Sequence, residues 1–264
     1  MNEKNLSSDA WQLYDALIEG IPEDWVVDDV VCGVYHAFVR SGNGAGFCMV
    51  AEDDTRPVML HNKLPGMKLK ELAAAVKSWN FIEASIGQAA INAYYNTLPV
   101  AQKNGVAVSD SRFVEDRSND PFISYQNAIR NKKVAVIEHF PFLEQLFEPV
   151  CDLSIFARLP QDCEYPYSAA EYLLPSCDYV FITCGAFVDK SLPRFLKLAS
   201  KAHVVVVGPS TPLASVLFQF GVHDLSGFVI KDVEKARRIC LGQENYLIYS
   251  TGQKVSFKSE QQLP

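Results

Sequence analysis

From residue 132 onward the chain alternates short apolar runs with helix-patterned segments, and no other feature narrows its choice of fold as far. Five runs, 134–137, 153–156, 179–183, 204–207 and 228–230, read as strands. Segments 142–147, 192–200, 213–220 and 233–241 read as helices between them. Alternation of this kind means βαβ units, a parallel sheet and right-handed crossovers. The second half is therefore expected to be a doubly wound, Rossmann-like α/β unit. The tail, 246–257, adds one or two strands around a Ser250-Thr251-Gly252 turn, and residues 259–264 are expected to be disordered.

The first half has a different rhythm. Residues 8–21 form an amphipathic helix, with Ser8 or Asp9 as its cap. Three β-rich runs follow, 25–32, 34–40 and 47–52, broken at Gly33 and at Ser41-Gly42-Asn43-Gly44. Glycine and asparagine tolerate positive φ, so both breaks suit hairpin turns and the runs form an antiparallel meander. Two helices come next, 69–78 and 81–95. The second carries a stripe of Ile82, Ile86, Ala89, Ala90 and Ala93, and its small residues, Gly87 among them, let another backbone approach. Meander plus helices make an α+β unit. A polar stretch, 114–130, separates the halves, so the expected domains are residues 1–125 and 126–264.

Charge and cysteine usage exclude several classes. The charge sum is 24 − 31 = −7 over 264 residues, which offers no electrostatic footprint for nucleic acid or an anionic membrane surface. No apolar run approaches the roughly 20 residues of a spanning helix, and the first residues lack a signal-peptide layout, so a cytoplasmic location is expected. The seven cysteines are odd in number and none forms a Cys-x-x-Cys pair. A disulfide framework or structural zinc site is not expected, and most read as small buried hydrophobes. The composition is compatible with a homo-oligomer.

Ligands of open α/β sheets sit at the carboxyl ends of the strands. After the first strand comes Glu138-His139-Phe140-Pro141-Phe142, with no glycine where a dinucleotide fold would place Gly-x-Gly-x-x-Gly. The second strand ends in Ala157-Arg158 rather than an acid for a ribose. NAD(P) binding is therefore not expected. His139 is a candidate acid/base group or a loop histidine bonded to backbone, with neither reading favoured. After the third strand come Thr183, Cys184 and Gly185; after the fourth come Gly208, Pro209, Ser210 and Thr211. Thr211 and Pro212 suit the start of a helix, whose amides, with the Ser210 and Thr211 hydroxyls, would cradle an anion. Ordinary capping explains the same residues. In the first half, Trp79 and Asn80 precede the small-residue helix, and Asn80, Glu83 and Gly87 share one face. Glu83 is the second candidate acid/base group, or a solvated helix charge. Asn43 belongs to a glycine loop that reads first as a turn and second as a flap over a cleft.

These same stretches resemble a bacterial and archaeal two-domain family of unknown function connected with heavy-metal chelation. The resemblance runs through residues 31–44, KSWNFIEASIGQAAINAYYN (77–96), EDRSNDPF (115–122), His139-Phe140-Pro141 and EPVCDLSI (148–155). It continues through LPSCDYVFITC (174–184), VGPSTPLASVLF (207–218) and LSGFVIKD (225–232). It implies an enolase-N-terminal-like α+β domain before the Rossmann-like one, with a site between them. The implied chemistry is condensation or hydrolysis of a flavin-, pterin- or siderophore-like molecule. Candidate parts are Glu83 and His139 as acid/base groups, with Asn43, Trp79, Asn80, Thr183, Cys184, Gly208, Pro209, Ser210 and Thr211 around the ligand. The competing expectation is a non-catalytic binder of a metal ion or chelate, with Cys184, His139 and Glu83 as ligands. Cys177 and Cys184 lie too far apart along one strand to share an ion, so a permanent protein-only metal site is not expected.

Overall fold

In a computed structural model, residues 10–51, 55–60, 63–109, 119–244 and 247–259 are described. Helix α1 (Gln12–Glu19) opens the first half and buries Leu13, Tyr14, Leu17 and Ile18. Trp11 stands at its N-cap without a side-chain cap; the expected caps Ser8 and Asp9 lie outside the described residues. The meander is β1 (Asp29–Cys32), β2 (His36–Ser41) and β3 (Gly44–Met49), antiparallel in the order β1-β2-β3. Of the expected run 25–32 only its last four residues are strand; Val26 makes a lone bridge to Lys68. Helix α2 (Leu69–Ala73) runs into a tighter turn and then into α3 (Phe81–Tyr95). The Asn80 side chain caps α3 by accepting from the Glu83 amide at 3.0 Å.

Helix α3 departs from the expected stripe. It is buried nearly all round, Gln88 and Asn92 included, while Ile82 stays exposed. A helix surrounded on all sides needs no single apolar face. Small residues set how closely its neighbours approach. A Cβ on Gly46 of β3 would fall 2.2 Å from the Ala93 amide nitrogen, and one on Gly87 would fall 2.0 Å from that of Val76. Helix α4 (Leu98–Lys103) completes this half.

The second half begins at α5 (Pro121–Ser124) and builds a seven-stranded sheet. Its elements are β4 (Lys133–Ile137), α6 (Leu143–Phe147), β5 (Asp152–Ala157), β6 (Tyr165–Pro166), α7 (Ala170–Leu173), β7 (Tyr179–Thr183), α8 (Leu192–Leu198), β8 (His203–Val207), β9 (Asp224–Ile230), α9 (Val233–Cys240) and β10 (Gly252–Lys258). The order is β10-β9-β8-β7-β4-β5-β6, parallel except for β10 against β9. From β4 the chain winds outward through β5 and β6, then returns to the other side of β4 for β7 and β8. The topological switch therefore falls between β4 and β7. Two expectations change in detail: the fifth run is longer than 228–230 and β6 is an added short strand, while the tail supplies one strand, within the expected one or two. Residues 215–220 form a 3₁₀ helix with Ala214, not Thr211, at its N-cap. Pro212 and Thr211 belong to the loop ahead of it. The expected disorder of the tail lies, beyond Ser259, outside the described residues.

Alternation along the strands gives the large sheet two different faces. Val134, Val136, Phe181, Val205 and Val207 point into one cluster with Phe122, Leu143 and Phe147. Ala135, Ile137, Val180, Ile182, Val204 and Val206 point the other way, into a core that also holds α1, α2, α3, α7 and α8. A third cluster packs Val31, Phe38 and Phe47 of the meander on Phe228, Ile230 and α9. The halves thus share continuous apolar cores. No described helix is long and apolar enough to cross a membrane.

Candidate functional site

Where the strand order reverses, the carboxyl ends of β4 and β7 diverge and leave a crevice. The residue just past β4 is Glu138, just past β5 is Arg158, and just past β7 is Cys184. These three share a cavity of about 200 Å³ with Tyr167, Thr183, Asp189 and Ser210. The first half closes it with Phe81 and with Cys48, Met49, Val50 and Ala51 from the end of β3.

Glu138 enters the cavity through a left-handed backbone, φ 72°. A non-glycine residue there is strained by about 1–3 kcal/mol and must be held by its surroundings. The Tyr167 hydroxyl donates to Glu138 Oε1, and the Arg158 amide donates to the same oxygen at 3.2 Å. Burial first, and the bond to Glu138 second, push the Tyr167 phenol far up, so it stays a donor. Asp189 is half-buried, and its partial burial raises its carboxyl above the usual range. Hydrogen bonds from Ser191, at 2.9 Å from its amide and 2.6 Å from its hydroxyl, and the Arg158 charge oppose the rise. Two carboxyl groups in unlike environments, a fixed phenol and a guanidinium give the crevice the parts for moving protons and orienting an anionic group.

The loop after β8 lies beside this crevice and is held from below by α3. Gln88 Nε2 donates to the Ser210 carbonyl at 3.1 Å and Asn92 Nδ2 donates to it at 2.9 Å. Asn96 Nδ2 donates to the Thr211 carbonyl at 2.9 Å and to that of Phe228 at 3.2 Å, while Asn96 Oδ1 accepts from the Leu213 amide at 2.9 Å. Gln88, Asn92 and Asn96 are spaced four apart, so one side of a buried helix grips one loop. Ser210 turns its hydroxyl toward β3, accepting from the Met49 amide at 3.2 Å. The expected anion cradle at a helix start is thus replaced by a clamped loop, because no α-helix begins at Thr211.

Other candidates lie elsewhere. Gly208 and Pro209 line a separate cavity with Phe122, Phe140, Tyr249 and Lys254. Thr211 is fully buried, its hydroxyl unpartnered among the described residues. Glu83 is buried and accepts from the Met59 and Leu60 amides and the Ser78 hydroxyl, pinning the segment before α2 to the start of α3. Asn80 caps α3 and donates to the Arg56 carbonyl. Trp79 is 55% exposed and carries the Lys190 ammonium 5.5 Å from its ring centre. Asn43 lines a cleft with Trp25, Gly42 and Thr97. His139 turns outward, where its Nδ1 meets Glu164 at 2.9 Å and Glu144 at 3.7 Å. Those donor atoms lie within 4.8 Å of one another, the one such group of three among the described residues able to hold a metal ion. Neither Cys184 nor Glu83 belongs to it.

Thr183, Cys184 and Ser210 were legible from the strand ends. Glu138 and Arg158 occupy the same kind of position, beside His139, whose ring is the more conspicuous acid/base type. Tyr167, Asp189 and Cys48 arrive from a loop or from the other half and carry no local signal.

A family model described as "Putative heavy-metal chelation" (DUF364) matches residues 120–258, and a second of the same description (DUF4213) matches residues 14–95. A protein of unknown function from the DUF364 family of Desulfitobacterium hafniense DCB-2 has a similar crystal structure. It is 52% identical, with TM-score 0.89, covering 95% of this chain and 99% of that one. A second, from Pyrococcus horikoshii, is 20% identical with TM-score 0.73 over 95% of this chain and 99% of that one, and shares the fold. No curated protein matches the chain.

Proposed function

Because the chain belongs to the DUF364 heavy-metal-chelation family, we propose that the crevice between β4 and β7 binds a small metal-chelating compound and carries out acid–base chemistry on it. The observation that carries this reading is the company Glu138 keeps. A strained carboxylate held by Tyr167 shares one cavity with Arg158 and with a half-buried Asp189 whose carboxyl is shifted toward its protonated form. Glu138 takes a proton from the bound compound and Asp189 returns one, the division of labour that condensation or hydrolysis requires. Arg158 orients an anionic substituent. A pterin-, flavin- or siderophore-like compound supplies both a titratable ring or amide and such a substituent.

A thermal-shift series over chelators, pterins and flavins tests this. A compound at 100 times its Kd should stabilise the protein by about 2.7 kcal/mol. Ala51→Trp, which fills the cavity, should abolish the shift, and Glu138→Gln should abolish turnover while sparing binding. No shift from any compound, or a shift that survives Ala51→Trp, rejects the reading. One observation favours a second reading, direct binding of a metal ion: the convergence of His139, Glu144 and Glu164. His139→Ala should then remove metal uptake and leave the crevice untouched.

A further inference from the structure

Two thiols from opposite halves of the chain meet on the wall of the same cavity. Cys48 lies next to last in β3 and Cys184 directly follows β7. They are 2% and 4% exposed, and both are free. Both side chains line this cavity together with Ser210, and the Cys48 thiol donates to the Met49 carbonyl at 3.3 Å. The backbone also makes room for this arrangement. Gly208 has φ 132°, and a Cβ there would fall 2.4 Å from the Cys184 sulfur. Only glycine leaves that sulfur in place, so the Cys184 thiol packs directly against the Gly208 backbone.

We propose that Cys48 and Cys184 form a two-thiol donor pair that takes a soft or borderline heavy-metal ion inside this cavity. The proposal rests on the reading of the cavity as the place where a metal chelate is handled, and names the protein groups that receive the metal. Burial raises both thiols above their ordinary range. A buried thiol reacts poorly with oxidants and alkylating agents, yet a thiophilic ion can still displace its proton. Each sulfur forms a bond to the metal as its S–H bond breaks. A divalent ion therefore releases two protons to solvent and leaves a neutral bis-thiolate complex, with no change of oxidation state. Thiolate donors select Cd²⁺ or Zn²⁺ over Mg²⁺ or Ca²⁺.

The test is titration of the reduced, metal-free full chain with Cd²⁺ alone. It is followed by the ultraviolet thiolate-to-metal band and by calorimetry in two buffers of different ionisation heat. One Cd²⁺ per chain, two protons released and a thiolate band are expected. Cys48→Ser and Cys184→Ser should each weaken uptake by at least about 100-fold, beyond the 10–100-fold typical of groups one shell further out. Substitution of the exposed Cys163 should change nothing. The band and the proton count come from the wild-type protein and need no variant to fold. Uptake without a thiolate band, no uptake, or uptake lost in His139→Ala but kept in both cysteine variants overturns the pair. A thermal shift with chelators that persists when the pair fails leaves the cavity reading standing; thiol-dependent Cd²⁺ uptake with no chelator shift rejects that reading and keeps the pair.

Discussion

Removing the Asn96 side chain should loosen the clamp between α3 and the second half. Asn96 is 3% exposed and makes three hydrogen bonds, to Thr211, Leu213 and Phe228. Asn96→Ala strands the Leu213 amide in a dry interior, at about 1–3 kcal/mol, and loses two further bonds at about 1 kcal/mol each. The expected cost is about 3–5 kcal/mol. Asn96→Asp is the sharper test. It keeps an acceptor for the Leu213 amide but puts an oxygen where a donor faced two carbonyls. Burial and those carbonyls must raise the new carboxyl above its unfolded value near 3.9. The native state then binds more protons than the unfolded state between the two values. The deficit relative to wild type should therefore be largest near pH 7.5 and shrink by about 1.4 kcal/mol per pH unit as pH falls through the raised value. Urea unfolding is the assay, read by far-ultraviolet circular dichroism and by tryptophan fluorescence. Trp11, Trp25 and Trp79 all lie in the first half, so fluorescence reports that half alone. The continuous core predicts that the two probes coincide in the wild type. An Asn96→Ala cost under about 1 kcal/mol, or an Asn96→Asp deficit independent of pH, would refute the clamp.

Two further outcomes follow from packing and charge. Gly46→Ala drives a methyl into the backbone of α3 and should cost about 3 kcal/mol or more, while Gly42→Ala, with nothing within 4 Å but φ 54°, should cost about 1 kcal/mol; equal melting temperatures for the two would contradict the close approach of β3 and α3. Burial, with the charges of His223 and Lys258, holds His203 down to about 4. The native state thus binds fewer protons than the unfolded state between pH 6.5 and about 4, so stability falls as pH drops through that window. The full shift would be worth about 3.4 kcal/mol, and solvent screening of a partly exposed ring leaves about 1–2. Asp224 in the same cluster is raised by burial and works in the opposite sense, so the measurement is the difference between wild type and His203→Gln, which should lose that much less over the window.

Periodicity within the chain carried the architecture. The alternation after residue 132 dictated a parallel sheet with crossovers, and the two glycine breaks dictated the meander, because hydrophobic spacing and turn chemistry are local properties. The strand-end rule led to Thr183, Cys184 and Ser210 for the same reason. What local spacing cannot encode is which side chains meet across the fold. His139 is titratable and adjacent to the right strand, yet a left-handed turn at Glu138 sends Glu138 into the crevice and His139 out toward Glu164. Glu83 sits on the expected helix face, but its Oε1 is taken by the Met59 and Leu60 amides and its Oε2 by the Ser78 hydroxyl. Gln88, Asn92 and Asn96 look like interruptions in an apolar helix until the loop of the other half is laid against them. Cys48 and Cys184 have no spacing that marks them as partners, since they reach one cavity wall from the ends of strands in two different sheets. The sequence by itself determined the elements and their layers, because those follow from periods of two and 3.6 residues; the membership of the site was decided by tertiary packing, which joins residues that share no period at all.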